Sequence, residues 1–210
     1  MATKVDICNM ALATLGDTAT VTSIDPPEGS AQADHCARFY PIALRDLLTA
    51  FPWRFATKRA KLAKVAADVV GEEDTKHYFA LPSDCLRVLN LQDKADHNEK
   101  VPFAIEYFNR QKMIVTSVEE PWLRYITSEV DEALFSTPFT SALVHRLASF
   151  LAGPLVPGSS GVELTKAHLE LYEIFLGHAK SSDAREGFTR EKYKPRYIGD
   201  ARMEGGYALD

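Results

Sequence analysis

The stretch SAQADHCARFYPIALRDLLTAFPWRF, residues 30–55, predicts a long amphipathic helix that ends in an aromatic cluster. Ser30 is a favourable N-cap residue, because its hydroxyl can accept a hydrogen bond from the first turn. Apolar residues then recur at helical spacing on one face, at Ala33, Cys36, Ala37, Tyr40, Ala43, Leu44, Leu47 and Leu48. Pro41 predicts a kink near residue 40, and Phe51-Pro52 ends the helix.

Upstream of this segment, residues 3–15 predict a shorter helix that Thr3 caps and Gly16 ends. Its apolar stripe consists of Val5, Cys8, Leu12 and Leu15. The prolines and glycine of Asp25-Pro26-Pro27-Glu28-Gly29 prevent the helix from continuing. The first 50 residues therefore predict a helix-turn-helix.

Downstream, residues 78–128 change from helical period to the alternation of β-strands. Apolar residues alternate in three places, at Phe103, Ile105 and Tyr107, at Met113 and Val115, and at Leu123, Tyr125 and Thr127. Residues 86–91 predict one more short strand, and Asn109-Arg110 predicts a turn. We expect a small antiparallel meander.

Helical period returns after residue 131 and predicts two more helices. The first contains Phe139, Leu143, Leu147, Phe150 and Leu151 and ends at Gly153-Pro154. The second extends from about residue 162 to 184, with a buried stripe of Leu164, Ala167, Leu171, Ile174 and Phe175.

The predicted fold is mainly α, a four-helix bundle with an inserted small antiparallel β-meander and an extended C-terminal tail. Residues 1–77 and 129–187 form the helical bundle domain in this scheme. Residues 78–128 form the inserted β-domain, and residues 188–210 form a tail that docks on a partner.

Composition excludes several classes of protein. The net charge of −5 gives no overall basic signature of a nucleic-acid binder. Three cysteines at wide spacing do not suggest a disulfide framework. The N-terminus lacks the features of a signal peptide, and no apolar run reaches the roughly 18 residues that span a bilayer. We expect a protein made in a cytoplasm, without a membrane partner.

A basic stretch follows the aromatic cluster. No acidic residue occurs between Asp46 and Asp68, and the interval contains Arg54, Lys58, Arg59, Lys61 and Lys64. One interpretation is the solvated face of an extended arm or short helix. The other is a surface turned toward phosphate, which would contact nucleic acid in a salt-dependent way without reading its sequence.

The tail from residue 188 combines aromatic and basic side chains without helical or strand period. It contains Phe188, Arg190, Lys192, Tyr193, Lys194, Arg196 and Tyr197. A chain end of this kind is either a frayed terminus or a segment that docks on an acidic groove of a partner. Stacking on nucleic acid is a third interpretation.

Catalytic motifs are not evident in the sequence. It has no phosphate-binding glycine loop, no nucleophile elbow, no H-E-x-x-H and no C-x-x-C. His35 and Cys36 are adjacent, so on a helix they point about 100° apart and cannot share a metal. His145, His168 and Glu170 could approach one another, but we interpret them as surface or interface residues. We therefore expect no enzyme, and no catalytic, cofactor or metal site.

The segment Ile7-Cys8-Asn9-Met10-Ala11-Leu12-Ala13-Thr14-Leu15-Gly16 resembles the opening helix of the head-to-tail adaptor proteins of short-tailed phages, often called tail tubular protein A. Five later segments are also similar to that family: Asp34 to Ala43, Arg45 to Leu48, Trp53-Arg54-Phe55, Tyr78 to Arg87, and Arg124-Tyr125-Ile126. The resemblance covers most of residues 5–180 and concerns patterned rather than chemical motifs.

The resemblance implies a virion structural protein that forms a ring, typically of twelve copies, beneath the portal protein ring. Such a ring joins the capsid to the tail nozzle protein and surrounds the path of the genomic DNA, with weak non-specific contact. The tail of residues 188–210 would then reach the portal, and the basic residues of 54–64 would face the DNA. Two alternatives remain, a tail-associated cell-wall hydrolase and a non-viral interaction module.

Overall fold

In a computed structural model, the described residues are 2–65, 76–93, 100–108 and 110–186. Within them lie four α-helices: α1 (Lys4–Thr14), α2 (Ala31–Ala50), α3 (Thr137–Leu155) and α4 (Ser159–Arg185). A short 3₁₀ turn, Glu132–Leu134, precedes α3.

The helix ends follow the local chemistry of the sequence. Thr3 forms a capping box with Asp6 at the start of α1, and Gly16 adopts a φ of +80° just after that helix ends. Ser30 accepts a hydrogen bond from the Ala33 amide at the start of α2, as predicted. The helix α3 passes through Gly153 and Pro154 to Leu155, so the prediction that it ends at that pair was wrong by about one residue.

The β-strands form two separate four-stranded antiparallel sheets. The strands are β1 (Thr57–Lys61), β2 (Ala63–Lys64), β3 (His77–Ala80), β4 (Cys85–Gln92), β5 (Lys100–Val101), β6 (Ala104–Phe108), β7 (Gln111–Thr116) and β8 (Trp122–Thr127). Their spatial order is β1-β8-β4-β5 in one sheet and β2-β3-β7-β6 in the other. Sequential strands are therefore divided between the sheets, unlike a meander.

The fold is a mixed α/β structure, and the prediction of a mainly α four-helix bundle with a small β-meander was wrong. Strands β1 and β2 were not predicted, because their residues are largely basic and are exposed or half-buried. Their strand identity comes from pairing with distant partners, such as Thr57 with Ile126. Strand pairing thus begins well before residue 78, where the β-region was predicted to start.

Two apolar clusters form the core of the described part of the chain. The larger joins the four helices and includes Trp53, whose ring packs edge-on against Phe139 at 4.9 Å. The Trp53 indole donates a hydrogen bond to the Leu47 carbonyl, which satisfies the buried N–H. The smaller cluster lies between strands of the two sheets and contains Leu62, Phe79, Leu91, Ile114, Leu123 and Tyr125.

Helix α4 buries a different face from the one the sequence predicted. Its buried side chains include His168, Tyr172, Leu176, Ala179 and Asp183, whereas Ala167, Leu171 and Ile174 are exposed. The helix packs on α3 through a face that combines aromatic, polar and small residues. The aliphatic residues of the predicted stripe therefore remain largely on the outside of the chain.

Candidate functional site

The basic stretch after the aromatic cluster lies mainly on strands β1 and β2, which place its charges beside acidic residues from elsewhere in the chain. Lys58 Nζ lies 2.8 Å from Asp84 Oδ2 and 3.1 Å from Glu129 Oε2. Lys61 Nζ lies 3.0 Å from Glu120 Oε1. The stretch itself contains no acidic residue. The folding of the chain nevertheless places carboxylates from distant residues beside its lysines.

Arg54 is bonded to a residue near the C-terminal end of α4. Its backbone N–H donates to Asp183 Oδ1 at 3.0 Å, and its Nε donates to the Asp183 carbonyl at 3.1 Å. Asp183 is buried, so the first of these bonds helps to satisfy a carboxylate that burial would otherwise destabilise. Together the two bonds fix the C-terminal end of α4 to the segment before β1.

Arg59 and Lys64 are the two remaining members of the predicted basic set. Both are exposed, and neither forms an ion pair with another described residue. The structure therefore divides the five predicted residues into three whose charge is paired within the chain and two whose charge faces solvent.

Asp84 is a polar centre that was not among the predicted site residues. Its carboxylate accepts hydrogen bonds from Thr127 Oγ1 at 2.7 Å and from the Tyr125 hydroxyl at 3.0 Å, besides the bond from Lys58. Burial acts to raise the pKa of Asp84, but the hydrogen bonds from Lys58, Thr127 and Tyr125 outweigh it and hold the pKa below its usual value. The sequence signals were the alternating Tyr125 and Thr127 of β8 and the position of Asp84 within the resembling segment Tyr78 to Arg87.

The Asp84 cluster is suited to holding the sheet rather than to acid–base catalysis. Its carboxylate remains ionised, and three side chains already occupy its lone pairs. Burial, together with the hydrogen bond to Asp84, raises the pKa of Tyr125 to about 12, with burial the larger cause. None of these groups titrates near neutral pH, where a general acid or base would have to work.

His145 and His168 do approach each other, as the sequence allowed. Their Nδ1 atoms lie 3.0 Å apart, so one ring must donate and the other accept. His168 is only 5% exposed and lies close to the main chain of Thr14, whereas Phe175 stacks on His145 at 5.2 Å between ring centroids. Burial lowers the pKa of both imidazoles. The pair joins α1, α3 and α4, and Glu170 lies apart from it on the exposed face.

The predicted docking residues of the tail, Phe188, Arg190, Lys192, Tyr193, Lys194, Arg196 and Tyr197, lie outside the described residues. The described part of the chain ends at Glu186, two residues before the predicted tail. Beside the last turn of α4 is an open cavity of about 600 Å³ that Pro138, His178, Ser181, Ser182, Arg185 and Glu186 line.

Among the described residues, large apolar side chains are exposed on helices α1, α2 and α4 and on strand β6, with Met10 on α1 and Ile105 and Tyr107 on β6. On α4 these are Val162, Leu171 and Ile174, and on α2 it is Ile42. Leu171 and Ile174 form a row on α4 with Leu164, which is half-buried, and Ala167, which is exposed. Val162 lies at least 120° around the helix from Leu171 and Ile174. Apolar rows of this kind on a folded surface mark interaction sites more often than isolated apolar residues do.

Within the described ranges, no group of three or more His, Cys, Asp or Glu side chains is placed to hold a metal ion. None of the helices in the same ranges is long and apolar enough to cross a membrane. The sequence matches no protein-family model, and no curated protein is significantly similar to it.

Proposed function

We propose that this protein is a structural component of a phage virion, the head-to-tail adaptor that forms a ring under the portal and joins the capsid to the tail nozzle. The observation that carries the proposal is the row of aliphatic side chains that α4, the longest helix, presents to solvent. Burying such a row favours association by about 25 cal/mol per Å² of apolar surface. In a larger assembly, a neighbouring subunit would bury this row.

The sequence resemblance supplies the kind of assembly. The resembling N-terminal segment forms α1, and its Ile7, Cys8, Ala11 and Leu12 are fully buried in the larger core. The Trp53-Arg54-Phe55 segment packs against α3 through Trp53 and Phe55. These resembling segments build the helical body, whereas Tyr78 to Arg87 and Arg124-Tyr125-Ile126 lie in and around strands β3, β4 and β8. The resemblance is what supports the adaptor role.

The attachment of α4 favours a tail that projects from a defined place. Because the bonds between Arg54 and Asp183 fix the end of α4, the segment that follows starts from a fixed point on the body. Residues 188–197 carry four basic side chains against one acidic and three aromatic ones. We propose that this segment docks on an acidic groove of the portal, where aromatic anchors and positive charge both contribute to binding.

Within the ring, we propose that Arg59 and Lys64 make the weak contact with DNA. Their charges are the members of the basic set that no described carboxylate neutralises. A few such charges attract phosphate without reading sequence, so the genome can slide past.

Co-sedimentation with the portal ring encoded by the same genome, followed by particle imaging, tests the proposal. We expect a symmetric ring stacked on the portal at about 10 µM protein, a concentration at which micromolar affinities are saturated. Absence of binding at that concentration would contradict the adaptor role. A cell-wall hydrolase would instead degrade peptidoglycan in the same preparation.

The matched variant is the chain truncated after Glu186. We expect it to remain folded, with the same thermal unfolding as the full chain, and to lose portal binding. A chain with Phe188, Tyr193 and Tyr197 replaced by Ser keeps its length and net charge, and should lose most of the affinity. Portal binding by the truncated protein would remove the docking role from the tail.

A further inference from the structure

The outward face of α2 carries a basic and apolar pattern that no other described part of the chain covers. Ile42 is 46% exposed, and Arg38 lies one turn before it and Arg45 one turn after it. Neither arginine side chain forms a hydrogen bond or ion pair with another described residue. Asp34, one turn before Arg38, is likewise exposed.

The outward face of α4 carries the complementary pattern. Ile174 is 54% exposed and Leu171 is 37% exposed. Glu170 lies one turn before Ile174, and Lys166 one turn before Glu170. The charged ends of Glu170 and Lys166 have no hydrogen-bond or ion-pair partner among the described residues.

Three positions of each face match when the helices are placed side by side in parallel. A register that puts Ile42 on Ile174 also puts Arg38 beside Glu170 and Asp34 beside Lys166, since each set is spaced at four-residue intervals. Both charge pairs are then of opposite sign around an apolar centre. Two α2 faces, or two α4 faces, in the same parallel register would instead place like charges together.

We propose that the α2 face of one copy of this protein binds the α4 face of another copy. Within one chain, α2 and α4 each pack on α3 rather than on each other, so their outward faces cannot meet intramolecularly. A contact between two different faces is heterologous, and repeated by rotation it closes a ring. The inference rests on the proposed function to the extent that it names the contact between ring neighbours.

A charge swap tests the contact by sedimentation velocity of the protein alone, over concentrations up to about 1 mM, and of the protein bound to portal rings. Arg38→Glu should raise the dissociation constant for self-association at least tenfold, because it places a second negative charge opposite Glu170. Glu170→Arg should do the same. The chain that carries both changes should recover association, and so should an equimolar mixture of the two single variants. Arg110→Glu, an exposed change on the β6–β7 turn, is the matched control and should have no effect.

A cross-link tests the register. The double variant Ile42→Cys with Ile174→Cys should form disulfide-linked oligomers under mild oxidation, whereas Ile42→Cys with Val162→Cys should not. Val162 is a suitable control because it is as exposed as Ile174 but lies about 18 Å from it along the axis of α4. The native thiols interfere little, since Cys8 and Cys36 are buried and Cys85 is half-buried.

The outcomes separate this inference from the adaptor proposal. Self-association that Arg38→Glu and Glu170→Arg leave unchanged, or that the double change fails to restore, would overturn the inference. Portal binding by copies that do not touch each other through these faces would also overturn it, while leaving the adaptor role intact. Swap-dependent association without any portal binding would support the inference and contradict the adaptor role.

Discussion

The Asp84 carboxylate accepts a 2.7 Å hydrogen bond from the Thr127 hydroxyl, which joins the turn before β4 to the last residue of β8. The link is reinforced along the backbone, where the Ser128 amide donates to the Asp84 carbonyl at 2.8 Å. The Asp84 carboxylate also forms an ion pair with Lys58 of β1. One half-buried side chain therefore holds the edge at which three strands of the first sheet meet the helical body.

Replacing Asp84 by Ala is expected to lower the free energy of unfolding by about 2–3 kcal/mol, because hydrogen bonds to a charged group disappear and their donors are left without a partner. Urea denaturation measures the decrease. Glu129→Gln is the control, since it removes the exposed partner of Lys58 and should cost less than about 0.5 kcal/mol. Equal decreases in the two variants would contradict the central role of Asp84.

Asp84 should also contribute to acid sensitivity. Because its pKa is lowered in the folded protein, the folded state resists protonation that the unfolded state accepts. Its stabilisation is fully present above the ordinary carboxyl pKa near 4 and is lost as pH falls through the lower folded value. Urea midpoints measured from pH 6 to pH 3 should fall less steeply for Asp84→Asn than for the wild type. If the urea midpoints of the two proteins fall in parallel with pH, the lowered pKa of Asp84 is contradicted.

The His145–His168 pair predicts a second, separate pH window. Burial lowers the pKa of both imidazoles, so the unfolded chain takes up protons first as pH falls. Stability should therefore decrease as pH drops below about 6.5, the ordinary value for histidine. In His168→Gln the change in urea midpoint between pH 7.5 and pH 5.5 should be smaller. NMR titration of the imidazole protons would give both pKa values directly, and values at or above 6.5 would contradict the prediction.

The orientation of α4 can be tested by two leucines on its different faces. Leu176 is buried against the body, so Leu176→Ala should cost about 2–4 kcal/mol of unfolding free energy. Leu171 is more exposed, and Leu171→Ala should cost less than about 1 kcal/mol in the monomer. Urea denaturation at low protein concentration compares them. A larger loss of unfolding free energy in Leu171→Ala than in Leu176→Ala would indicate that the face predicted from the sequence is the buried one.

If the protein contacts DNA as proposed, the contact should depend on Arg59 and Lys64, the basic residues that form no ion pair with a described residue. We expect Arg59→Gln with Lys64→Gln to reduce the slope of log affinity against log salt concentration by about 2, one for each phosphate that the protein no longer neutralises. Fluorescence anisotropy with duplex DNA at several salt concentrations gives the slope. Arg110→Gln is the control for a change of exposed charge elsewhere, and an unchanged slope in the double variant would exclude these residues from the DNA path.

Local sequence chemistry predicted the helices well because caps and helical spacing involve residues within one turn of each other. Thr3, Ser30 and Gly16 mark helix ends in the structure as they did in the sequence. Strand β1 was missed because Lys58, Arg59 and Lys61 give no apolar alternation strong enough to indicate a strand. Its partner β8 lies more than sixty residues away, and that pairing is not encoded in the local pattern.

The buried face of α4 was assigned wrongly for a related reason. Periodicity identifies where aliphatic residues cluster on a helix, but burial depends on which face the neighbouring helix reaches. Here α3 meets the side that carries His168, Tyr172 and Leu176. An aliphatic stripe on a helix therefore has two uses, core or interface, and a single sequence does not distinguish them.

By itself, the sequence determined the positions of the helices, most of the strands between residues 85 and 127, and the excess of positive charge after the aromatic cluster. Only the tertiary structure decided which of those charges remain free. Lys58 and Lys61 meet carboxylates because antiparallel register aligns β1 with β8 and its flanking acidic residues, whereas Arg59 and Lys64 do not. Propensity and capping act over a few residues, whereas charge pairing depends on distances that only the folded chain sets.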